Sequence, residues 1–235
     1  MTITTETIVL KSGPNEMNAY VARPESGRAP GLIVLQEAFG VNDHIRDVSK
    51  RLAQQGYLVI APELFHRTAP PGFTADYTDF SLVGPHMLAL TPMALAEDTL
   101  AAYDWLVKES QCDRERIGAI GFCLGGRAAF IANAELPLKA AVSFYGGGIA
   151  QQLLGRTTDQ HGPMLFFWGG LDTHITPELR AAVTAAMTEA GKAFINVEIS
   201  DANHGFFCDA RAAYNAPAAR HAWALTLSFL SSNLK

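Results

Sequence analysis

The sequence contains little cysteine and little charge for its length. Cys112, Cys123 and Cys208 are the three cysteines among 235 residues, and charged residues make up 17% of the chain. A small, odd number of cysteines argues against a disulfide framework and is typical of a reducing compartment, where a free reactive thiol persists. We therefore expect a cytoplasmic protein.

Long apolar runs and clusters of basic residues are also absent. The longest strongly apolar stretches, such as 164–168, are far too short to cross a bilayer, and residues 1–6 lack the basic and apolar segments of a secretory signal. The net charge is −5, and no run contains five or more basic residues. These features argue against a membrane or nucleic-acid partner. We expect a small-molecule partner and a monomer or small homo-oligomer.

Apolar strands and amphipathic helices alternate along most of the chain, in which 49% of residues are hydrophobic. Two β-prone runs at 5–11 and 16–23 flank a turn and predict an antiparallel hairpin. The pattern then predicts strands at 31–36, 57–61, 117–121, 140–145, 164–168 and 194–199, and helices at 43–55, 94–109, 124–134, 177–190 and 216–231. Buried strands separated by helices are typical of a mostly parallel sheet. We predict one α/β domain over residues 1–235, with about eight strands and helices on both faces.

Residues 62–92 form the least regular part of the pattern. Five prolines and several aromatic residues fall within this stretch. A long irregular segment in a compact α/β domain is usually a functional loop or lid. We expect such a loop here.

The stretch Gly121-Phe122-Cys123-Leu124-Gly125 has the pattern glycine-x-nucleophile-x-glycine. This pattern is typical of a sharp strand-to-helix turn, because the strained backbone at the nucleophile needs glycines on both sides to relieve crowding. A short apolar run precedes the turn and an alanine-rich stretch follows it, so strand, turn and helix occur in the required order. We interpret Cys123 as a nucleophile; the alternative is a buried, inert cysteine.

Two further candidate residues come directly after predicted strands. Asp172 follows the strand at 164–168, and His204 follows the strand at 194–199. Ligands of open parallel sheets bind beyond the carboxyl ends of the strands, so these side chains and Cys123 are expected at the same edge. The chain order of nucleophile, acid and histidine is that of the α/β-hydrolase fold.

The three side chains have complementary chemistry. A thiol is mostly protonated at neutral pH, and His204 is suited to accept the Cys123 proton and return it to a leaving group. Asp172 would hold the imidazole in the correct tautomer and stabilise its cation. Considered singly, Asp172 is also compatible with a helix cap and His204 with a structural role, and His174 is a rival to His204. The histidines show no metal-ligand spacing, and we expect neither a metal nor a cofactor.

A tetrahedral intermediate needs hydrogen-bond donors for its oxyanion. The backbone N–H of Leu124, directly after the nucleophile at a helix start, is well placed for this role. The second donor normally comes from the loop after an earlier strand, here residues 36–40.

Several segments together resemble the dienelactone hydrolase (carboxymethylenebutenolidase) family of α/β-hydrolases over nearly the whole chain. The matching segments are 36–40 (QEAFG), 61–65 (APELF), 121–126 (GFCLGG), 145–146 (YG), 169–172 (GGLD) and 204–206 (HGF). The resemblance implies Cys123, Asp172 and His204 as a catalytic triad. It implies the backbone N–H groups of Ala38 and Leu124 as the oxyanion donors.

The resemblance also implies Glu37 as an additional acid beside the thiol. A carboxylate next to Cys123 would hold the neutral thiol or take its proton, so movement of Glu37 on substrate binding would control when the thiolate forms. The alternative is a carboxylate paired with a nearby arginine.

The sequence departs from this family in its arginines. Family members that cleave dienelactones hold the substrate carboxylate with one arginine in the irregular loop and another shortly after the catalytic histidine. Here the loop at 68–91 has no arginine, Cys208 stands at the second position, and the nearest arginine is Arg211. We therefore expect a preference for neutral esters, lactones or other acyl substrates. The aromatic residues expected to bind the substrate are Phe39, Tyr145 and Phe206.

These features predict a hydrolase that cleaves a carboxylic ester or lactone through a Cys-His-Asp triad and an acyl-enzyme. Two alternatives stay open. The same thiol and donors would serve other activated esters such as phosphotriesters, because such a site recognises developing charge. In a different class of function, Cys123 would be an oxidisable redox sensor with Cys208 as its resolving partner.

Overall fold

An eight-stranded sheet forms the centre of the fold. The computed structural model describes residues 2–25 and 27–235. The strands are β1 (Ile3–Ser12), β2 (Asn15–Pro24), β3 (Ala29–Leu35), β4 (Leu58–Pro62), β5 (Cys112–Phe122), β6 (Ala140–Phe144), β7 (Met164–Gly169) and β8 (Phe194–Ile199). Every strand expected from the sequence is present. β5 extends further toward its start than expected, because its first residues pair with the beginning of β3.

Helices connect most of the strands. They are α1 (Asp43–Gln54), α2 (Phe80–Ala89), α3 (Pro92–Lys108), α4 (Leu124–Glu135), α5 (Ile149–Gln152), α6 (Pro177–Glu189) and α7 (Ala216–Leu234). The five helices expected from the sequence are α1, α3, α4, α6 and α7, and all five are present. Among the helices in the described part of the chain, none has the length and apolarity needed to span a bilayer.

The sheet is parallel except at one edge. Its strand order is β1-β2-β4-β3-β5-β6-β7-β8. The β1–β2 hairpin is antiparallel and joins β4 in antiparallel register, whereas β4, β3, β5, β6, β7 and β8 run parallel to one another. The predicted α/β-hydrolase fold class is therefore confirmed. Because the parallel strands end at one edge, the loops that follow β3, β5, β7 and β8 meet there.

The central strands are buried on both faces. Every residue of β3, β4, β6 and β7 is buried, as expected for a sheet covered by helices. Helix α3 packs against α4. Helix α1 meets α7 where the guanidinium of Arg51 lies 4.1 Å from the centre of the Trp223 ring. This packed core gives the loops at the carboxyl edge a rigid base.

The segment 62–92 is more regular than we expected. It contains helix α2, although Pro85 lies inside the helix and removes one backbone donor. The Asp79 side chain caps the helix by accepting a hydrogen bond from the N–H of Leu82 at 3.3 Å. Val83 is fully buried and packs with Ala38 and Phe39 in a second, smaller apolar cluster. Tertiary packing and the cap outweigh the local effect of the proline, which is why the sequence pattern missed this helix.

The close approach of α4 to the sheet yields a test of the fold. A methyl group at Gly125 would collide with the backbone carbonyl of Leu35. Although alanine favours a helix over glycine by ~1 kcal/mol, we expect Gly125→Ala to lower the free energy of unfolding by about 1–3 kcal/mol, because backbone cannot move aside easily. Urea denaturation followed by circular dichroism measures this change. In the control Gly155→Ala, the new Cβ has no heavy atom within 4 Å; equal destabilisation of both variants would contradict the prediction.

Candidate active site

Cys123 lies on the turn between β5 and α4 in a strained backbone conformation. Its φ is 53° and its ψ is −113°, and the only other non-glycine residue with positive φ in the described chain is Tyr145. The Cys123 N–H donates a hydrogen bond to the carbonyl of Phe144 at 2.9 Å. A side chain at Gly121 would collide with the carbonyl of Gly125, so the tight turn requires glycine there. Strain of this kind persists only where the surrounding structure enforces it.

Asp172 and His204 form a hydrogen-bonded pair at the same edge of the sheet. Nδ1 of His204 lies 2.7 Å from Oδ2 of Asp172. The other carboxylate oxygen of Asp172 accepts hydrogen bonds from the backbone N–H groups of His174 at 2.8 Å and Ile175 at 3.1 Å. The Asp172 carboxylate is thus fixed by the turn after β7 and orients the imidazole on the loop after β8.

Burial and charge act in opposite directions on this pair. Burial lowers the pKa of His204, but the hydrogen bond to Asp172 and the neighbouring Cys123 outweigh it and raise the pKa to about 10. Burial raises the pKa of Asp172, but the hydrogen bonds from His204 and the two backbone N–H groups lower it overall. Both shifts favour a protonated His204 imidazole beside an ionised Asp172 carboxylate.

His174 has a different environment from His204. It is exposed, and it contacts Asp172 through its backbone N–H. Its ring centre lies 5.5 Å from that of His204. Among the described residues, His204 is the histidine whose ring bonds to the Asp172 carboxylate.

Glu37 lies in the loop after β3 and pairs with an arginine. Its Oε1 accepts a hydrogen bond from Nη1 of Arg211 at 3.1 Å, and its Oε2 is buried without a hydrogen-bond partner in the described chain. Burial lowers the pKa of Arg211, but the charge of Glu37 raises it overall. The Arg211 guanidinium also lies 5.8 Å from the ring centres of Phe39 and Tyr77. The arginine pairing considered in the sequence analysis is thus present in the structure.

A cleft of about 340 Å³ opens beside Cys123 and His204. The residues that line it are Ala38, Phe39, Phe80, Met87, Cys123, Leu124, Arg127, Gly147, Gly148, His174, His204 and Arg211. Two of them, Phe80 and Met87, come from α2, which closes one side of the cleft as a lid segment would. The volume fits a small organic ligand.

Two buried N–H groups at this cleft have no protein acceptor in the described chain. Ala38 belongs to no helix or strand, and its N–H makes no backbone or side-chain hydrogen bond. Leu124 is the first residue of α4, where a helix leaves its N–H without an internal partner. Buried donors of this kind need an acceptor from elsewhere.

The aromatic residues predicted to bind substrate occupy two different positions. Phe39 lines the cleft. Tyr145 and Phe206 are fully buried and are not among the lining residues; the Tyr145 ring lies 5.0 Å from the His204 ring and 5.4 Å from that of Phe206. Tyr145 directly follows β6, Phe206 lies in the loop after β8, and both pack into the core. Their predicted role in binding stays a prediction.

Arg127 also lines this cleft, although the sequence pattern did not indicate it. It lies in the first turn of α4, four residues after Cys123. A single arginine on a helix face usually indicates a solvated surface, so the pattern gave no reason to select it. The one available signal was its distance of one helical turn from the nucleophile, which places both side chains on the same side of the helix.

One group of described residues has the proximity needed to hold a metal ion. The ligand atoms of His44, Cys208 and Asp209 lie within 4.8 Å of one another. Burial raises the pKa of the Cys208 thiol to about 11, with a further contribution from the charge of Glu37. Asp209 is exposed, and exposed acidic groups commonly lie near such side chains without an ion, so we assign no metal to this group.

Comparisons with known proteins identify the family of this chain. The model of the dienelactone hydrolase family matches residues 17–234. A protein of Synechocystis sp., provisionally named carboxymethylenebutenolidase, is 35% identical over 99% of this chain and 98% of its own length. A Salmonella typhimurium protein of the same provisional name is 35% identical over 94% of this chain and 85% of its own length.

Solved structures show the same similarity. A provisionally named dienelactone hydrolase from Klebsiella pneumoniae has a TM-score of 0.90 at 31% identity and covers 98% of this chain and 99% of its own. A dienelactone hydrolase-like promiscuous phosphotriesterase from metagenomic libraries has a TM-score of 0.89 at 23% identity, over 99% of both chains, which shows a shared fold. The resemblance seen in the sequence is confirmed: this chain belongs to the dienelactone hydrolase family of hydrolases.

Proposed function

We propose that the protein hydrolyses a carboxylic ester or lactone with Cys123 as the nucleophile. One observation carries this proposal: the strained Cys123 turn and the His204–Asp172 pair share a single cleft. A weak nucleophile is activated by a histidine beside it, and a carboxylate hydrogen-bonded to the other ring nitrogen orients that histidine. The proposed roles are nucleophile for Cys123, acid and base for His204, and orienting anion for Asp172.

The proposed reaction has two halves. In the first, Cys123 gives its proton to Glu37 beside a protonated His204, and the thiolate sulfur forms a bond to the substrate carbonyl carbon. The resulting oxyanion accepts hydrogen bonds from the N–H groups of Ala38 and Leu124. The carbon–oxygen bond of the ester then breaks, the leaving alkoxide takes the proton from His204, and an acyl thioester remains on Cys123.

In the second half, water replaces the alcohol. His204, now neutral, accepts a proton from water as the water oxygen attacks the thioester carbonyl. The same two N–H groups hold the second oxyanion, and the carbon–sulfur bond breaks. The acid product leaves, Glu37 returns its proton to the Cys123 sulfur, and His204 keeps the proton that it took from water.

Glu37 is proposed to act on the charge state of the thiol. Its Oε2 is buried without a hydrogen-bond partner among the described residues, and its Oε1 is held by Arg211. A substrate that draws Arg211 away would leave Glu37 as an uncompensated buried charge, free to move toward the thiol and take its proton. This arrangement would form the thiolate when substrate is present.

The redox alternative is less well supported than hydrolysis. Cys208 is fully buried, and burial raises the pKa of its thiol to about 11. A resolving cysteine has to attack as a thiolate. A phosphotriester would meet the same nucleophile and donors, but no feature of the cleft selects it over a carboxylic ester.

We further propose that residues 1–235 form one domain acting on a small molecule, since the elements of one sheet position every part of the site.

The nucleophile assignment predicts the behaviour of a cysteine variant. Cys123→Ala should lower kcat for p-nitrophenyl acetate by about 10³-fold or more, because no other side chain can form the acyl-enzyme. The parent protein, quenched in acid during turnover, should carry one acetyl group on the peptide that contains Cys123. Cys112→Ala is the matched control, since Cys112 is a buried cysteine at the opposite end of β5. If Cys123→Ala kept the activity of the parent protein, Cys123 would not be the nucleophile.

The His204–Asp172 pair predicts a specific pH dependence of stability. The folded-state pKa of His204, about 10, lies above its ordinary value of 6.5. The folded protein binds this proton more tightly, so the stabilisation is fully present below pH 6.5 and is lost as the pH rises toward 10. The difference in free energy of unfolding between the parent and His204→Gln should therefore shrink across this range.

Urea denaturation at a series of pH values measures this difference. His221→Gln replaces an exposed histidine on α7 and should show no such trend against the parent. A difference for His204→Gln that stays constant from pH 6 to pH 10 would contradict the ion pair.

A further inference from the structure

The cleft lining carries positive charge in a protein whose net charge is −5. Two arginines and two histidines line the cleft, and no aspartate or glutamate is among the lining residues. Asp172 and Glu37 lie buried beneath it, where each is engaged with a cation. A ligand in this cleft therefore meets cationic groups before it meets either carboxylate. Charge complementarity of this kind favours an anionic ligand.

Arg127 is the cation in this cleft that lacks a counter-ion. Within residues 2–25 and 27–235, its guanidinium makes no hydrogen bond and no ion pair, and its Nε is buried without a partner. Arg211, by contrast, is already paired with Glu37. A guanidinium has five donors arranged to match a carboxylate, and the described residues provide an acceptor for none of them.

Two physical effects disfavour an unpaired cation at this position. Burial lowers the pKa of Arg127, and the neighbouring Cys123 opposes that effect only in part. The first turn of a helix also carries partial positive charge, which repels a cation. A residue that serves only stability would be neutral or acidic here, so the charge of Arg127 indicates a ligand that supplies the missing anion.

The turn before α5 leaves room for this guanidinium. Gly148 has a φ of 88°, and a Cβ on it would lie 3.1 Å from Nη1 and 3.2 Å from Cδ of Arg127. A Cβ on Gly147 would have no heavy atom of the described residues within 4 Å. Both glycines line the cleft, and the space they leave keeps Arg127 open to a ligand.

We propose that Arg127 binds a carboxylate carried by the substrate and so selects esters or lactones that bear one. This inference rests on the proposed hydrolysis at Cys123, whose cleft Arg127 shares. It replaces the expectation of a neutral substrate, which rested on arginines missing from the loop at 68–91 and from the position of Cys208. Arg127 supplies a guanidinium from α4 instead.

Alkylation of Cys123 tests the proposal without requiring turnover. Iodoacetate and iodoacetamide have nearly the same size and differ in charge; in both reactions the thiolate sulfur bonds to carbon and iodide leaves. Cys112 and Cys208 are buried, and peptide mass spectrometry identifies the modified cysteine. The measured quantity is the ratio of the iodoacetate rate to the iodoacetamide rate at Cys123.

Loss of the guanidinium should remove the preference for the anion. We expect Arg127→Gln to lower the rate ratio by about 10-fold or more, since one charge-assisted contact is lost. Arg127→Lys should lower the rate ratio less than Arg127→Gln does, because lysine keeps the positive charge but lacks the planar guanidinium that donates two hydrogen bonds to a carboxylate. Arg114→Gln removes an exposed arginine and should leave the ratio as in the parent.

An unchanged ratio in Arg127→Gln would overturn the proposal. If both rates stay at the parent value, the guanidinium does not act on the reaction at Cys123. If both rates fall equally, Arg127 stabilises the thiolate instead of recognising the ligand.

A second measurement separates this inference from the proposed function. The ratio of kcat/KM for mono-p-nitrophenyl succinate to that for p-nitrophenyl butyrate should fall by about 10-fold in Arg127→Gln. If Cys123-dependent hydrolysis occurs and this ratio does not change, hydrolysis stands and the inference fails. If neither ester is hydrolysed but the alkylation ratio falls, the anion site stands and the proposed hydrolysis fails.

Discussion

The close approach of helix α4 to the sheet is the constraint on which the site depends. Side chains at Gly125 and Gly126 would collide with the backbone carbonyls of Leu35 and Phe144, so two glycines allow the helix to start directly on the strand ends. The chain then turns within one residue, which leaves Cys123 with a positive φ. The strain persists because the buried parallel strands beneath the turn cannot yield. The position of Cys123, which we propose as the nucleophile, and the unpaired N–H of Leu124 both follow from this approach.

The charged side chains that line the cleft are basic, although the net charge of the protein is negative. The chain has 23 acidic and 18 basic residues, yet the cleft is lined by arginines and histidines. The two carboxylates of the site, Asp172 and Glu37, are buried, and each holds one cation in place. Their burial separates them from the ligand, while His204, Arg211 and Arg127 reach the cleft. Negative charge that develops on a bound acyl group would therefore meet favourable groups.

The sequence predicted most of the sheet, because apolar strands separated by amphipathic helices have few other ways to bury their surfaces. It also selected Cys123, Asp172 and His204, since each directly follows a strand and the three occur in a recognisable order. It missed α2, because Pro85 and the neighbouring prolines indicate irregular structure locally, whereas burial of Val83 stabilises a helix. It predicted that Tyr145 and Phe206 bind the substrate; both side chains lie in the core, and this role stays a prediction.

The sequence alone determined the fold class, the family resemblance and the short glycine-flanked turn, because these depend on local patterns of residue size and polarity. The tertiary structure decided which charges are neutralised. The pairing of Glu37 with Arg211 joins residues far apart in the chain, and no spacing rule connects them. The unpaired state of Arg127 likewise depends on the elements that surround it, because a counter-ion can come from any loop that folds against the cleft. Whether a charge is paired or free is a property of distances between loops, and only the packed sheet sets those distances.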